Sequence, residues 1–346
     1  MRGKQPSDSL SLRKKVAFSA IACILGLLVL ELFARIVFAV PGVDLHREHE
    51  EIITVLGLPD LNETMESDPD LFWRLKPELR NFPVSGSIRD NPIDFRVSTH
   101  HGLRSAERLP PRRSLRVVAL GDSTTFGLGV EDEKAWPAVL EDLLRARGID
   151  ADVVNAGVPG YTSFQGRRFM LKRGLTLEPD LVIVTFGFND ASFWGSRSDA
   201  ETARLLEPRG WERPLRHSRL YDGIRQLLRP RDNTAETPPE SESPRLTEQE
   251  FYLEMQQLVQ DIRAQDSEVL FVIWPYLRQL LGRTTEPWKY QKVTHLLAVA
   301  EHVPVVDLVE PFIRADTPLL DHVHANEAGC RVAAETLAPR VAELLR

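Results

Sequence analysis

The chain has 346 residues, of which 42% are hydrophobic, and its formal net charge is −7 at pH 7. This length allows one sizeable α/β domain with an additional segment, and the hydrophobic fraction is ordinary for a globular protein. Because the net charge is negative, the protein has no positive electrostatic field that would attract a nucleic-acid backbone, so nucleic-acid binding is excluded. Of the two cysteines, Cys23 lies in an apolar run near the N-terminus, so Cys330 has no partner for an internal disulfide in the rest of the chain.

The N-terminus has the pattern of a bacterial signal anchor. Residues 1–15 contain five basic residues, and residues 16–40 are apolar except for Glu31 and Arg35. A helix over that run is about 37 Å long, whereas the hydrocarbon core of a bilayer is about 30 Å thick. Glu31 and Arg35 are four residues apart, so they can pair on one helix face. The positive-inside rule keeps residues 1–15 in the cytoplasm and predicts a periplasmic or other extracytoplasmic location for the chain beyond the inner membrane.

Three other interpretations of this run remain open. A cleaved signal peptide would use residues 37–39 as its cleavage site, although the apolar stretch is long for a signal peptide. A lipoprotein would be attached at Cys23, but the apolar run continues past that residue. A buried amphipathic helix would show one polar face, whereas this run is apolar around nearly its whole circumference.

Residues 41–113 are rich in proline, aspartate and arginine, which is typical of a tether. Within them, residues 68–77 and 95–104 have the aromatic and β-branched content of strands. The sequence therefore predicts a tether with partly ordered strand segments between the anchor and the remaining chain.

From residue 114 to residue 346, predicted strands and helices alternate. The predicted strands are 115–120, 152–155, 181–186, 269–274 and 305–308, and the predicted helices are 136–147, 164–175, 248–264, 290–301 and 326–345. This alternation predicts an α/β fold, a three-layer α/β/α sandwich with a parallel sheet.

A long insertion at residues 191–247 interrupts the alternation. Residues 230–245 are rich in proline, glutamate, serine and threonine, so they are predicted to be disordered. The other part of the insertion is predicted either to form a small helical lid beside Asn189 or to pack on the domain without a role at the site. The residues that suggest the lid are Trp194, Trp211, Leu220, Tyr221, Leu227 and Leu228.

Ser123 is a candidate nucleophile because it follows a predicted strand on a tight turn into a helix. Its backbone N–H lies at the start of that helix, where unpaired amides and the helix dipole favour a developing oxyanion. Gly157 and Asn189 follow the next two predicted strands. Because ligands bind at the carboxyl ends of parallel strands, both are candidate oxyanion donors, Gly157 through its N–H and Asn189 through its side-chain amide. Ordinary turn use of each residue remains the alternative.

Asp321 and His324 form the candidate base. An aspartate three residues before a histidine can reach its Nδ1 within one turn, which leaves Nε2 free to take a proton from a serine. Asp321 and His322 could instead bind a metal ion, but no further cluster of ligand residues accompanies them.

Four segments in this order resemble those of the SGNH hydrolases, also called the GDSL esterase/lipase superfamily, over about residues 115–345. They are the Gly-Asp-Ser block at 121–127, the glycine block at Gly157, the Gly-x-Asn-Asp block at 187–190 and the Asp-x-x-His block at 321–324. The first block departs from Gly-Asp-Ser-Leu at Thr124, which puts substrate preference in question. A nucleophile elbow of the α/β-hydrolase type requires glycine where this chain has Thr125. The resemblance implies a flavodoxin-like fold and no cofactor or metal.

The resemblance implies a serine esterase with Ser123, His324 and Asp321 as the triad and Ser123, Gly157 and Asn189 around the oxyanion. The expected partners are an acyl ester of a glycan, a lipid or a small molecule, and the membrane. Two other functions remain open: an acyltransferase that modifies an exported or envelope glycan, and a catalytically silent binding or assembly protein. The sequence does not specify the length of the acyl chain or the oligomeric state.

Overall fold

The computed structural model of the protein describes residues 11–37, 58–68, 70–88, 91–105, 112, 114–193, 198–206, 218, 220, 221, 224, 243–283, 288–316 and 318–346. These residues belong to two compact units. One comprises residues 1–47 and 207–235, and the other comprises residues 48–206 and 236–346.

The first unit is built around helix α1 (Leu12–Val37). Its segment Leu12–Arg35 is long and apolar enough to cross a membrane. The predicted pair is present, since Arg35 Nε donates to Glu31 Oε1 at 2.8 Å. The other Glu31 oxygen accepts from Ser218 Oγ at 2.7 Å and from the Leu220 N–H at 3.1 Å. Of the residues predicted to form a lid, Leu220 and Tyr221 therefore belong to this unit, while Trp194, Trp211, Leu227 and Leu228 lie outside the described residues.

The second unit contains ten strands. They are β1 (Met65–Asp68), β2 (Phe72–Leu75), β3 (Glu78–Ile88), β4 (Asn91–His100), β5 (Leu103–Arg104), β6 (Leu115–Gly121), β7 (Ala151–Gly157), β8 (Leu181–Thr185), β9 (Glu268–Ile273) and β10 (Val305–Asp307). Strands β1 and β2 form a separate antiparallel pair, and the others form one sheet in the order β10-β9-β8-β6-β7-β5-β4-β3. From β10 to β7 all neighbours are parallel, whereas β5, β4 and β3 are joined antiparallel.

Helices cover both faces of the parallel part of the sheet. They are α2 (Pro59–Asn62), α3 (Ser123–Phe126), α4 (Trp136–Ala146), α5 (Ser163–Phe169), α6 (Asp199–Leu206), α7 (Glu248–Arg263), α8 (Leu277–Leu280), α9 (Lys289–Ala300), α10 (Val309–Arg314) and α11 (Glu327–Leu344). Helices α5, α7 and α9 bury apolar side chains in one core, and α4, α10 and α11 bury theirs in the other. Strands β6 and β8 are buried at nearly every position because helices cover both of their faces. The predicted three-layer α/β/α sandwich is confirmed.

The carboxyl end of β6 is the topological switch point of this sheet. The chain leaves β6 to form β7 on one side and then returns to form β8 on the other side. Ligands bind at such a point in open α/β sheets because the two connections diverge there and leave a crevice. Ser123 follows β6 and Asn189 follows β8, so the fold brings both to this crevice.

The described residues between 58 and 105, within the segment predicted as a tether, belong to the second unit. Strand β5 pairs with β7, so β3 to β5 continue the sheet across its antiparallel edge. Arg104 of β5 has a side chain that is 1% exposed and donates from Nε to Asp132 Oδ1 at 2.8 Å. Trp73 Nε1 donates to the Pro159 carbonyl at 2.9 Å, and Tyr161 Oη donates to the Trp73 carbonyl at 2.7 Å. Strands of the segment predicted as a tether thus pair with the sheet, and strand pairing between distant segments has no local signature in the sequence.

These contacts predict where the chain can be shortened. A chain that begins at Val43 keeps every described element of the second unit and is expected to fold. A chain that begins at Ser114 leaves Asp132 buried without Arg104, and breaking a buried ion pair costs about 3 to 5 kcal/mol. That loss is a large part of a typical free energy of unfolding of about 5 to 15 kcal/mol. Thermal unfolding of both chains tests whether the chain from Val43 folds and the chain from Ser114 does not. A cooperative transition for the chain from Ser114 would contradict the prediction.

Candidate active site

Ser123 lies on a turn that Asp122 and two glycines define. Asp122 caps helix α3, since its Oδ1 accepts from the Thr124 N–H and from Thr124 Oγ1, both at 2.8 Å. A Cβ atom on Gly121 would lie 2.7 Å from the Thr185 carbonyl oxygen, so only glycine fits there. Gly127 ends the helix at φ 83°, in the left-handed region that favours glycine. Ser123 is thus the first residue of a one-turn helix, where its N–H has no intrahelical acceptor.

A chain of two hydrogen bonds connects Ser123 to Asp321. Ser123 Oγ and His324 Nε2 are 2.8 Å apart, and His324 Nδ1 and Asp321 Oδ2 are also 2.8 Å apart. All three residues are buried. Asp321 Oδ1 accepts from the N–H groups of Val323 and His324 at 2.8 and 2.7 Å, which fixes the carboxylate in the loop before α11. The structure therefore brings together the nucleophile, the base and the acid that the sequence predicted.

Asp321 is held in its ionised form. Burial alone would raise the pKa of Asp321, but the hydrogen bond from His324, the nearby His324 and His322 charges and the His324 N–H together hold that pKa well below its usual range. An ionised Asp321 keeps the proton of the neutral imidazole on Nδ1, which leaves Nε2 as an acceptor toward Ser123.

The lowered pKa of Asp321 has a consequence for acid stability. A carboxyl group whose pKa is lower in the folded state stabilises the fold above its unfolded pKa of about 3.9 and loses that contribution as the pH falls through its folded pKa. Below pH 4, the free energy of unfolding of the natural chain should therefore fall more steeply than that of Asp321→Asn. Urea unfolding at several pH values measures both curves, with Asp94→Asn as a surface control. Parallel curves for the natural chain and Asp321→Asn would contradict the expectation.

Gly157 does not have the free N–H that the sequence predicted. Its N–H donates to the Oδ1 atom of Asn155 at 3.0 Å. A Cβ at this position would lie 2.2 Å from the backbone nitrogen of Phe126, so glycine is needed there because α3 packs directly against β7. The N–H of Gly160, three residues later, donates to no group among the described residues. Gly160 is buried and has φ 79°. The geometry therefore favours Gly160 over Gly157 as the backbone donor in this loop.

Asn189 lies between Asp122 and the loop that carries Gly160. Its Nδ2 is 3.2 Å from Asp122 Oδ2 and 3.0 Å from the Tyr161 carbonyl oxygen. The contact with Asp122 is at the long end of the hydrogen-bond range, the contact with Tyr161 has an ordinary length, and the amide is buried. The side chain is thus next to the nucleophile turn, and one of its two N–H groups must turn from its present acceptor to donate to a substrate oxygen.

Asp190 holds the two loops that flank the site. Its Oδ1 accepts from the Ser163 N–H at 2.9 Å and from Ser163 Oγ at 2.6 Å, and its Oδ2 accepts from the Gly187 N–H at 3.0 Å. Burial raises the pKa of Asp190 to about 7. These bonds to local backbone groups indicate a structural role.

Half-buried aromatic rings form one side of the site, which the sequence did not predict. The His322 ring centroid is 5.0 Å from that of Phe188 and 6.3 Å from that of His324. The ring centroid of Phe188 also lies 5.7 Å from that of Tyr276 and 6.3 Å from that of Trp288. These aromatic residues lie singly on separate loops, so they form no recognisable motif in the sequence. Only the fold brings them together.

The alternative metal site involves the same aspartate. His322 Nδ1 is 3.4 Å from Asp321 Oδ2, the oxygen that also contacts His324. No group of three or more His, Cys, Asp or Glu side chains arranged to hold a metal ion occurs in the described part of the chain. Asp321 already accepts three hydrogen bonds, two of them from His324, so the hydrogen-bonded triad is the arrangement that the site supports.

Comparison with known families agrees with this geometry. The model of the GDSL-like lipase/acylhydrolase family matches residues 119–332, which is more than half of the chain and includes Ser123, Asn189 and His324. The chain belongs to that family. The resemblance that the four segments predicted is therefore confirmed.

Two relatives match parts of this GDSL family member. An arylesterase of Vibrio mimicus is 35% identical over 77 residues, which are 22% of this chain and 38% of that protein. Esterase TesA of Pseudomonas aeruginosa is 34% identical over 74 residues, which are 21% of this chain and 37% of that protein. The matched segments thus span less than two fifths of either relative.

Three solved structures are among those similar to this chain. A crystal structure of an acetyl xylan esterase is 17% identical, with a TM-score of 0.45 over 66% of this chain and 100% of that chain. A crystal structure of TesA is 19% identical, with a TM-score of 0.45 over 66% of this chain and 99% of that chain. A lipase/acylhydrolase from Enterococcus faecalis is 20% identical, with a TM-score of 0.44 over 66% of this chain and 96% of that chain.

Proposed function

We propose that this GDSL family member is a membrane-anchored serine esterase that hydrolyses acyl esters outside the cytoplasm. The observation that carries the activity is the buried hydrogen-bond chain from Asp321 through His324 to Ser123, with 2.8 Å in each step. Such a chain activates a serine hydroxyl for attack on a carbonyl carbon. The family membership and the two relatives, which are esterases, support the same reaction.

In the first half of the reaction, Ser123 Oγ attacks the ester carbonyl carbon while His324 Nε2 takes the hydroxyl proton. Asp321 orients the imidazole through Nδ1 and stabilises the imidazolium that forms. The carbonyl oxygen becomes an oxyanion, for which the Ser123 N–H, the Gly160 N–H and the Asn189 amide are the proposed donors. The tetrahedral intermediate then expels the alcohol, which takes its proton from His324 Nε2, and the acyl group remains on Ser123.

In the second half, water attacks the acylated Ser123 and His324 Nε2 takes one of its protons. Collapse of the second tetrahedral intermediate returns the proton to Ser123 Oγ and releases the carboxylic acid. A sugar hydroxyl in place of water would give the acyltransferase reaction with the same residues. Whether the enzyme hydrolyses or transfers therefore depends on the molecule that receives the acyl group, because the triad acts in the same way in both reactions.

The proposed location depends on α1. Apart from Ala34, its apolar side chains are exposed along the candidate span, for example Leu28 at 60% and Phe33 at 63%. A continuous apolar surface of this kind requires a lipid or protein environment. The basic residues before the span, which include Lys14 and Lys15, favour a cytoplasmic N-terminus and hence an extracytoplasmic catalytic unit.

A reporter enzyme that is active only outside the cytoplasm, fused after Arg346, tests this topology. We expect it to be active in bacterial cells. A matched fusion to a reporter that is active only in the cytoplasm should be silent, and the reverse pattern would exclude the proposed orientation.

The activity is tested with the full chain in detergent micelles and a panel of acyl esters of different chain length, together with acetylated polysaccharides. We expect release of free acid from at least one class and no release by Ser123→Ala. Adding a soluble sugar acceptor distinguishes transfer, because the acyl group would then appear on the sugar. A folded protein that releases no acid, transfers no acyl group and is not labelled at Ser123 by a fluorophosphonate would refute the proposal.

A further inference from the structure

Arg245 connects the insertion to the loop that carries Gly160. It lies within residues 230–245, which the composition predicted to be disordered, yet its side chain is only 4% exposed. Its Nη1 donates to the Gly160 carbonyl at 2.7 Å, and its Nη2 donates to Gln165 Oε1 at 2.7 Å. Arg245, at the edge of the segment predicted to be disordered, is thus held by buried hydrogen-bond acceptors outside the local sequence.

Asp199 pairs with Arg245 from the other end of the insertion. Arg245 Nε donates to Asp199 Oδ1 at 2.8 Å and Nη2 donates to Asp199 Oδ2 at 3.1 Å. The Asp199 N–H donates to the Arg245 carbonyl at 3.1 Å, and Thr162 Oγ1 donates to Asp199 Oδ2 at 2.5 Å. The two residues that close the insertion thus each bind the segment from Gly160 to Thr162.

This arrangement fixes both carbonyl groups that follow the Gly160 N–H. Arg245 binds the Gly160 carbonyl, and Asn189 binds the Tyr161 carbonyl. The Trp73 indole binds the preceding carbonyl, that of Pro159. Three consecutive carbonyl oxygens are therefore bound to protein donors. Trp73 holds the peptide plane that contains the Gly160 N–H, which has no acceptor among the described residues, and Arg245 holds the plane that follows it.

We propose that Arg245 is a positioning residue that holds the Gly160 N–H in place to donate to the oxyanion, so that the insertion sets the turnover rate of the site. The inference rests on the proposed esterase function, because it requires a negatively charged oxygen in the transition state. A donor aimed at that oxygen lowers the barrier without changing the affinity for the substrate. A purely structural ion pair would instead change stability alone.

The test compares the full chain with Arg245→Lys and with the double variant Arg245→Met/Asp199→Asn. The lysine variant keeps the positive charge but cannot bind Asp199 and Gly160 with the planar fork of a guanidinium. The double variant removes both charges, so no unpaired charge is left buried. We expect kcat to fall by about 10- to 100-fold in the double variant and less in the lysine variant, with KM nearly unchanged, as for a displaced catalytic group.

A matched control uses a second buried ion pair at the opposite end of the strands. Arg116 Nη2 donates to Asp152 Oδ2 at 3.1 Å, and both residues are buried. The double variant Arg116→Met/Asp152→Asn should lower the melting temperature but leave kcat unchanged. The rate at which a fluorophosphonate labels Ser123 provides a second readout, because that reaction also develops negative charge on an oxygen in the oxyanion hole.

The outcomes separate this inference from the proposed function. If the natural chain is not labelled at Ser123 and hydrolyses no ester, the esterase proposal itself fails. If the natural chain is active and the Arg245 variants keep its kcat and labelling rate per folded molecule, Arg245 is only structural. If the double variant does not fold, the kcat of Arg245→Lys provides the test. A kcat equal to that of the natural chain in this variant would overturn the inference.

Discussion

Ser123→Ala and His324→Ala should each lower kcat by about 10⁴- to 10⁶-fold, which is the range expected when one member of a serine triad is removed. The effects should not add in the double variant, because either change alone stops the same proton transfer. The fold should survive, because the described side-chain hydrogen bonds of both residues lie within the triad: Ser123 Oγ contacts His324, and the His324 ring nitrogens contact Ser123 and Asp321. Steady-state hydrolysis and the melting temperature measure the two effects separately.

His322→Ala is the matched control for this prediction. The centroid of its ring lies 6.3 Å from that of His324, and its Nδ1 is 3.4 Å from Oδ2 of the same aspartate, whereas Nε2 of His324 is the ring atom 2.8 Å from Ser123 Oγ. We expect a mild loss of activity in this variant and no effect of a chelator on the natural chain. Equal losses in His322→Ala and His324→Ala, together with inhibition by a chelator, would show that a metal site replaces the triad.

Replacing Asn189 with alanine should lower kcat by about 100- to 1,000-fold with little change in KM. One lost oxyanion donor raises the barrier by about 2.7 to 4 kcal/mol, and the donor acts on charge that exists only in the transition state. The same variant removes the bond to the Tyr161 carbonyl, so the loop that carries Gly160 loses one of its supports. Labelling of Ser123 by a fluorophosphonate should slow for the same reason.

Ser192→Ala serves as the control for Asn189. Ser192 Oγ donates to the Asn189 carbonyl at 2.6 Å, so this variant perturbs the same loop without removing a side-chain donor from the site. Turnover should remain close to that of the natural chain. If Asn189→Ala also keeps the natural turnover and labelling rate at an unchanged melting temperature, Asn189 is not an oxyanion donor.

The parallel core of the fold was predictable from sequence because its signals are local. A buried parallel strand is a short apolar run, and its helices repeat apolar residues along one face. The predicted helix 248–264 is observed as Glu248–Arg263, and the predicted strand 181–186 is observed as Leu181–Thr185. The antiparallel extension was not predictable, because the pairing of β5 with β7 depends on backbone groups that are about fifty residues apart.

The site shows the same division between local and distant causes. Ser123, Asp321 and His324 follow from short spacings at strand ends and helix starts. The choice between Gly157 and Gly160 depends on where the Asn155 side chain turns, which spacing does not specify. Arg245 is hidden in a segment of disorder-like composition, and only its buried partners Asp199 and Gly160 reveal that it is ordered.

The extension of the sheet by β3 to β5 determines where a protease could release a working enzyme from the membrane. Leu58 and Leu61 are fully buried, and the catalytic loops depend on Trp73 and Arg104. A cut after residue 61 would remove core side chains, and a cut within β3 to β5 would also remove strands that pair with the sheet. For the anchored enzyme we propose, an active soluble form would therefore have to arise from cleavage between Val37 and Leu58, and its new N-terminus would identify the site of release.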